Sequence, residues 1–239
     1  MKKTIVILTI TFLVLIACTT KKEGNMIVKG QIKGLKKGTL YLQKVRDTMI
    51  VTVDSISILG NDTFALADNV DSPEIYYLTF NGNTHDKRLL FFGEKGEISI
   101  TDKIEEFGFR PQVKGSKNQM VWDNFKKINQ KFNDQSLDLI KKEFDSKKGG
   151  DKIMQQNFTE ERKKITRKRI LFATNYAITN SGSEAAPYIA LTELYDANIK
   201  LLDTINNSLS DNVKSSKYGV KLQNFIDKIK KNEKQNTNP

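Results

Sequence analysis

Two residue types that perform much of enzyme chemistry, cysteine and histidine, occur once each in this chain of 239 residues, as Cys18 and His85. A structural zinc site needs four side-chain ligands of this kind, and a Cys-x-x-Cys redox pair needs two thiols. The sequence therefore predicts no metal site, no disulfide and no cofactor. His85 stands in the polar stretch NGNTHDK (81–87), which we expect to be a loop between strands rather than a site for a general base.

Carboxylates are the next candidates for chemistry. Asp102, Glu105 and Glu106 lie close together in sequence, as do Glu160 and Glu161. A carboxylate-dependent hydrolase needs two carboxyl groups that face each other across a cleft. Proximity in sequence does not establish that geometry, and we expect the first group in a polar loop and the second in the first turn of a helix, where negative charge is favourable. A hydrolase stays an alternative, and no catalytic residue is predicted.

Three further patterns have simpler structural interpretations. The stretch Gly93-Glu-Lys-Gly96 lacks the Lys-Ser/Thr ending of a phosphate-binding loop and is expected to be a hairpin turn. The basic run RKKITRKR (162–169) could bind anions, but such a run is more often a solvated helix face. Trp122 could form a sugar platform with Tyr76 or Tyr77, although neighbours in a strand point to opposite faces. We expect Trp122 to cover the junction between two parts of the chain.

The N-terminus shows how Cys18 is used. Lys2 and Lys3 precede an uncharged apolar run at 4–17, the pattern of a secretory signal, and this run is shorter than the ~20 residues that span a bilayer. The sequence LIAC at 15–18 resembles a bacterial lipobox. That resemblance implies cleavage after residue 17 and attachment of lipid to the sulfur of Cys18. The alternatives are an ordinary signal with a chance cysteine, or an uncleaved anchor.

The expected cellular location of the protein and its net charge limit the classes of partner that we expect. Thr19, rather than aspartate, follows Cys18, which by resemblance to enteric sorting favours the outer membrane, facing the periplasm. Removal of residues 1–17, with two lysines and no acid, lowers the formal net charge from +11 to +9 (11 − 2). Basic proteins often bind nucleic acid, but an exported protein meets the membrane surface, anionic lipids or glycans, and other envelope proteins. We expect one of these partners and no nucleic acid.

The hydrophobic period changes once along the chain. Residues 27–115 alternate with a period of two, with turn signals such as Asn81-Gly82, and predict an antiparallel β-sandwich or open barrel of seven or eight strands. Residues 116–232 follow a helical period and predict about four helices: one with a stripe through Val121 and Phe132, one from about Thr159 to Thr179, a third after an N-cap at Ser183, and a fourth around Leu222. The result is an α+β chain, with a tether at 18–26 and a disordered tail at 233–239.

Three stretches, VKGQIKGLKKGTLYL (28–42), VDSISI (53–58) and LLFFGEKGEISIT (89–101), make the chain similar to lipoproteins that carry the β domain of unknown function numbered 4369. The chain resembles the N-terminal part of thioredoxin-like thiol-disulfide oxidoreductases of this kind, without the thioredoxin domain and its cysteine pair. The resemblance implies a sandwich followed by a helical spacer, and it transfers no redox residue. We therefore expect a non-catalytic binding or adaptor module, or alternatively a partner in trans of a separate thioredoxin-like oxidoreductase.

Overall fold

A computed structural model describes residues 22–81, 83–147 and 152–236. In these ranges the chain forms eight strands and then six helices. The strands are β1 (Met26–Lys33), β2 (Lys37–Arg46), β3 (Met49–Leu59), β4 (Thr63–Asp68), β5 (Glu74–Phe80), β6 (Asn83–Gly93), β7 (Gly96–Lys103) and β8 (Gln112–Lys114). The helices are α1 (Lys117–Lys147), α2 (Lys152–Thr179), α3 (Ala185–Glu193), α4 (Ile199–Ser208), α5 (Asp211–Lys214) and α6 (Lys217–Asn236).

The strands build two four-stranded sheets, one in the order β4-β1-β7-β8 and the other in the order β3-β2-β5-β6. The inward-facing positions of both sheets bury a common core that includes Val28, Leu40, Leu78, Phe91 and Ile98. Alternation of apolar and polar residues places these side chains on the inner faces, which confirms the predicted sandwich. One pairing departs from the antiparallel expectation, because β1 and β7 run parallel from Met26↔Gly96 to Lys33↔Lys103.

The helical half has its own core. Phe125 of α1 stacks on Phe172 of α2 with ring centroids 5.5 Å apart, and Leu202, Leu222 and Ile226 of the later helices are fully buried in the same cluster. An amphipathic stripe on each helix supplies these contacts. No helix in the described ranges is long and apolar enough to cross a bilayer.

Several boundaries differ from the sequence prediction. The predicted third helix is two helices, α3 and α4, because the chain turns at Asn198, whose side chain caps α4 by accepting the Lys200 N–H at 2.9 Å. Helix α2 begins at Lys152, before the expected start. Helix α6 includes residues 233–236, which the sequence analysis assigned to a disordered tail. The change of period is placed correctly, since β8 ends at Lys114 and α1 begins at Lys117.

Candidate functional site

A groove runs along one face of α2 and ends against α4. Its lining residues on α2 recur at the spacing of a single helical stripe, and Leu201 of α4 closes one end. The groove has a volume of about 480 Å³ and is lined by Thr159, Arg162, Lys163, Thr166, Arg167, Ile170, Leu171 and Leu201. This volume lies within the range of small-molecule binding pockets.

Charged and apolar side chains both line the groove. Along α2 the cations Arg162, Lys163 and Arg167 precede the apolar residues Ile170 and Leu171. Leu171 is 48% exposed although it is aliphatic. Within the described part of the chain, Arg162 pairs with Glu143 of α1 and Lys163 with Glu160 at 3.0 Å, whereas Arg167 has no carboxylate within ion-pair distance.

The rest of α2 explains why this stripe faces outward. Ala173 and Ala177 are buried in the helical core, and Phe172 and Tyr176 pack around Phe125 with ring centroids at 5.5 Å. These residues fix the rotation of α2 about its axis. The stripe that contains Arg167 and Leu171 therefore stays at the surface.

The groove offers two kinds of interaction to a ligand. Its lining combines guanidinium and ammonium donors and two threonine hydroxyls with the apolar side chains of Ile170, Leu171 and Leu201. Arginine donates planar hydrogen bonds to carboxylates and phosphates, and the leucines favour a hydrocarbon chain by burial of apolar area. An anionic amphiphile matches both kinds of interaction.

The sequence predicted the helix that carries the basic run but not the groove beside it. The run at 162–169 does lie on a helix and is largely exposed, as expected of a solvated face. Ile170, Leu171 and Leu201 turn part of that face into a groove, a feature that the run itself does not predict. Counting the stripe forward from Thr159 in steps of three and four would have reached Leu171, but the contribution of α4 depends on tertiary packing.

The turn Gly93-Glu-Lys-Gly96 has a structural role at each end of the hairpin. The Glu94 carboxylate accepts hydrogen bonds from the Lys117 N–H at 2.6 Å and the Asn118 side-chain amide at 2.6 Å. It therefore caps the N-terminus of α1, where backbone donors lack intrahelical partners. A Cβ on Gly93 would lie 2.3 Å from the Tyr76 ring. The hairpin expected from the sequence is present between β6 and β7, and Glu94 links the sandwich to the helices.

The aromatic residues of the junction also hold the two halves together. Phe92 of β6 is fully buried and makes edge contacts with Trp122, Tyr188 and Tyr218, at centroid distances of 5.8, 5.3 and 6.2 Å. The Tyr218 hydroxyl accepts the Ile75 N–H at 3.0 Å. Burial, with smaller contributions from the negative charges of Tyr77 and Glu193, raises the pKa of Tyr188 to about 12. Trp122 thus covers the junction, as its sequence position indicated.

This packing bears on the sugar platform considered for Trp122. Tyr76 is fully buried in the sandwich core and stacks on Phe91 at 5.8 Å. Tyr77 faces the helices and packs in the junction cluster. The two tyrosines point to opposite faces as predicted, and burial removes Tyr76 from any surface platform.

The carboxylates considered for hydrolysis have separate environments. Asp102 accepts the backbone N–H groups of Lys103 at 2.9 Å and Gly108 at 2.7 Å, so it holds the loop after β7. Glu105 and Glu106 are exposed on that same loop, beside a cleft of about 540 Å³. Glu160 and Glu161 lie on α2, several residues after its start, so their expected place in a first helical turn was wrong.

The structure describes neither Cys18 nor the side chain of His85. Cys18 lies outside the described residues. The backbone of His85 belongs to β6, which begins at Asn83, so the expected loop was wrong; its side chain is not among those described. Among the residues that the structure describes, no group of three or more histidine, cysteine and acidic side chains could hold a metal ion.

A buried ionic cluster was missed by sequence reasoning. Lys44 of β2 donates to Asp68 of β4 at 2.5 Å and lies 3.8 Å from Glu74 of β5, and Glu74 pairs with Lys217 of α6. The Tyr76 hydroxyl donates to Asp68 at 2.6 Å. Burial, followed by this hydrogen bond, raises the pKa of Tyr76 far above its usual value. The cluster joins both sheets to α6, and its members are too scattered in sequence to form a motif.

Comparisons with known proteins agree with the architecture. Residues 26–122 match the family model described as "Domain of unknown function (DUF4369)". The match covers all eight strands and the first residues of α1, including Trp122, and it confirms the resemblance of the sandwich to this domain. No curated protein and no solved structure matches the chain significantly.

Proposed function

We propose that this protein is a lipid-anchored, non-catalytic binding module of the cell envelope, held at the outer membrane and facing the periplasm by acyl chains on Cys18, and that the α2 groove binds an anionic amphiphile. The observation that carries the proposal is the combination of three cations and three apolar side chains in the lining of one groove. A ligand with a carboxylate or phosphate and a hydrocarbon chain satisfies both.

Arg167 is the residue on which the charge of the ligand depends most. It lines the groove and has no carboxylate partner among the described residues. A bound anion would therefore replace water at this guanidinium without first breaking an ion pair, whereas Arg162 and Lys163 already have acidic neighbours. Removing an interaction with a charged group costs about 1.5–3 kcal/mol, which is roughly a 10- to 100-fold loss in affinity.

The expected location in the cell envelope supports an anionic amphiphile as the ligand. The signal-like N-terminus and the LIAC sequence at 15–18 favour export and lipid attachment, and several acyl chains anchor a protein stably where one binds marginally. Anionic amphiphiles are abundant around such an anchor. The excess of basic residues, with a formal net charge of +9 after removal of residues 1–17 (11 − 2), attracts anions over distances set by ionic screening.

Photolabelling tests the proposal directly. The acylated full-length protein in phosphatidylethanolamine vesicles is irradiated with a photoreactive fatty acid, and labelled peptides are identified by mass spectrometry. We expect labelling concentrated on peptides of α2 and α4, and a drop of about tenfold or more in Arg167→Glu. Lys221→Glu is the matched control, since this lysine is exposed on α6 and far along the chain from the groove.

Two results would refute the ligand assignment. One is equal labelling of Arg167→Glu and the wild type. The other is equal labelling by the corresponding fatty alcohol, which has the chain but no charge. Intact-mass analysis of the same preparation reports the acyl groups on Cys18, so that a failure of the anchor is distinguished from a failure of the groove.

A second candidate function follows from the matched domain. The match over residues 26–122 covers the part in which the chain resembles the front half of thioredoxin-like thiol-disulfide oxidoreductase lipoproteins. We propose as the alternative that the chain assists a separate oxidoreductase in trans. A deletion strain should then accumulate reduced cysteines in exported proteins, and an unchanged disulfide pattern would argue against this role.

A further inference from the structure

Lys22, the first residue that the structure describes, lies against an edge strand. The Nζ atom of Lys22 contacts both carboxylate oxygens of Asp54, at 2.6 and 2.8 Å, and Asp54 lies at the middle of β3. The same carboxylate accepts the Ala67 N–H of β4 at 2.9 Å. Lys22 is therefore held against β3, the outermost strand of its sheet.

The covalent path from this point to Cys18 is short. Residues 19–21 separate Cys18 from Lys22, and an extended chain spans at most about 3.3–3.6 Å per residue. The Cα atom of Cys18 thus lies within roughly 14 Å of that of Lys22. If Cys18 carries the lipid anchor of the proposed function, on which this step rests, β3 is held within one tether length of the bilayer surface.

Both ends of β3 expose apolar side chains. Met49 is 68% exposed and Ile50 40% at one end, and Leu59 is 77% exposed at the other. The middle of the strand, where Lys22 is attached, exposes the small polar residues Thr52, Ser55 and Ser57. The attachment point is therefore flanked on both sides by apolar residues.

Basic residues accompany each of these apolar ends. Arg46 is paired with Met49 across the β2–β3 hairpin, and Lys37 is paired with Leu59 at the other end of the ladder. Lys36 is the neighbour of Lys37, and all three cations are exposed. Apolar side chains beside lysine and arginine are the composition of surfaces that lie in the headgroup region of anionic membranes.

We propose that β3 is a membrane-docking edge, on which Met49, Ile50 and Leu59 enter the headgroup region of an anionic bilayer while Arg46, Lys36 and Lys37 contact lipid phosphates. The lipid on Cys18 holds the edge close, and the two basic and apolar ends set its orientation. Strand β6 forms the opposite edge of the same sheet, and Phe92 of β6 packs on the helices. Docking through β3 therefore turns the β6 edge of this sheet away from the bilayer.

Spin labelling of the acylated full-length protein tests the docking. Met49→Cys, Leu59→Cys and the control Phe144→Cys, which replaces a residue 67% exposed on α1, are labelled with a nitroxide. Because the sulfur of Cys18 is blocked by lipid, the label attaches only to the introduced thiol. The proteins are bound to vesicles of phosphatidylethanolamine and phosphatidylglycerol, and relaxation is measured with oxygen and with a water-soluble nickel chelate.

The expected result is a several-fold lower accessibility to nickel, with higher accessibility to oxygen, at positions 49 and 59 than at position 144. Arg46→Glu combined with Lys37→Glu should return both labels toward the value at position 144, whereas Lys221→Glu should not. Nickel accessibility at 49 and 59 equal to that at 144 would overturn the docking edge while the anchor stands. Protein that neither floats with vesicles nor shows acyl mass on Cys18 would overturn the anchor and the docking edge together.

Discussion

Replacement of Phe92 by alanine tests whether the sandwich and the helices unfold as one unit. Phe92 is fully buried, and its ring contacts Trp122, Tyr188 and Tyr218, which all belong to the helical half. Truncation of a buried phenylalanine to alanine costs about 3–5 kcal/mol. For a chain of this size that corresponds to a fall in Tm of roughly 6–20 °C. We expect the wild type to unfold in one transition, and because each half has its own core, we expect Phe92→Ala to separate it into two.

Differential scanning calorimetry and the fluorescence of Trp122 measure these effects. Trp122 is the one tryptophan of the sequence and its ring touches Phe92, so its emission reports the junction itself. Phe91→Ala is the matched control. Phe91 is also fully buried, but it lies in the sandwich core. It should lower stability by a similar amount without changing the environment of Trp122 at temperatures below unfolding. The reasoning is refuted if Phe92→Ala costs less than about 1 kcal/mol, or if Phe91→Ala uncouples the two halves equally well.

Three further predictions concern other contacts. Glu94→Ala removes the cap of α1 and should lower the free energy of unfolding by about 1–2 kcal/mol, as measured by urea titration, whereas the exposed Lys95→Ala should change it by less than about 0.5 kcal/mol. Lys44→Met leaves the partly buried carboxylate of Asp68 without its cation and should cost about 3 kcal/mol in the same titration, part of which Asp68→Leu in the same chain should restore. The raised pKa of Tyr188, about 12 against about 10 for free tyrosine, stabilises the fold fully below pH ~10. This contribution is lost as the pH rises toward about 12. The guanidinium concentration at the unfolding midpoint should therefore fall less steeply between pH ~10 and pH ~12 in Tyr188→Phe than in the wild type.

The change of period near residue 115 was the part of the fold that local sequence determined best. Alternation over 27–115 and the stripe through Val121 and Phe132 depend on which face of an element is buried, and this is a local property. The parallel pairing of β1 with β7 could not be predicted in the same way. Antiparallel and parallel neighbours both satisfy the alternation of a strand, and the choice between them depends on how distant segments meet.

The site residues also divide into those that local sequence predicts and those that depend on tertiary packing. Trp122 was placed at the junction because its position relative to one helical stripe is a local fact. The role of Glu94 as a helix cap was missed, since its turn precedes α1 by more than twenty residues and the loop that brings them together has no signature. The groove could be predicted only in part. Its cations form a run in the sequence, but Leu201 joins Leu171 in the lining only through the packing of α4 against α2.

The parallel pair at the centre of the first sheet has a consequence for the order of folding. Strand β1 begins the folded chain, yet one of its two neighbours, β7, is among the last strands of the domain, with Met26 opposite Gly96. The long segment between β1 and β7 must close into a loop, at a cost in entropy, before contacts between these two strands can stabilise it. A high contact order of this kind slows folding. The first sheet is therefore completed only after most of the matched domain has been synthesised. Until then β1 lacks this partner, and of its two neighbours in the sheet only β4 is available to pair with it.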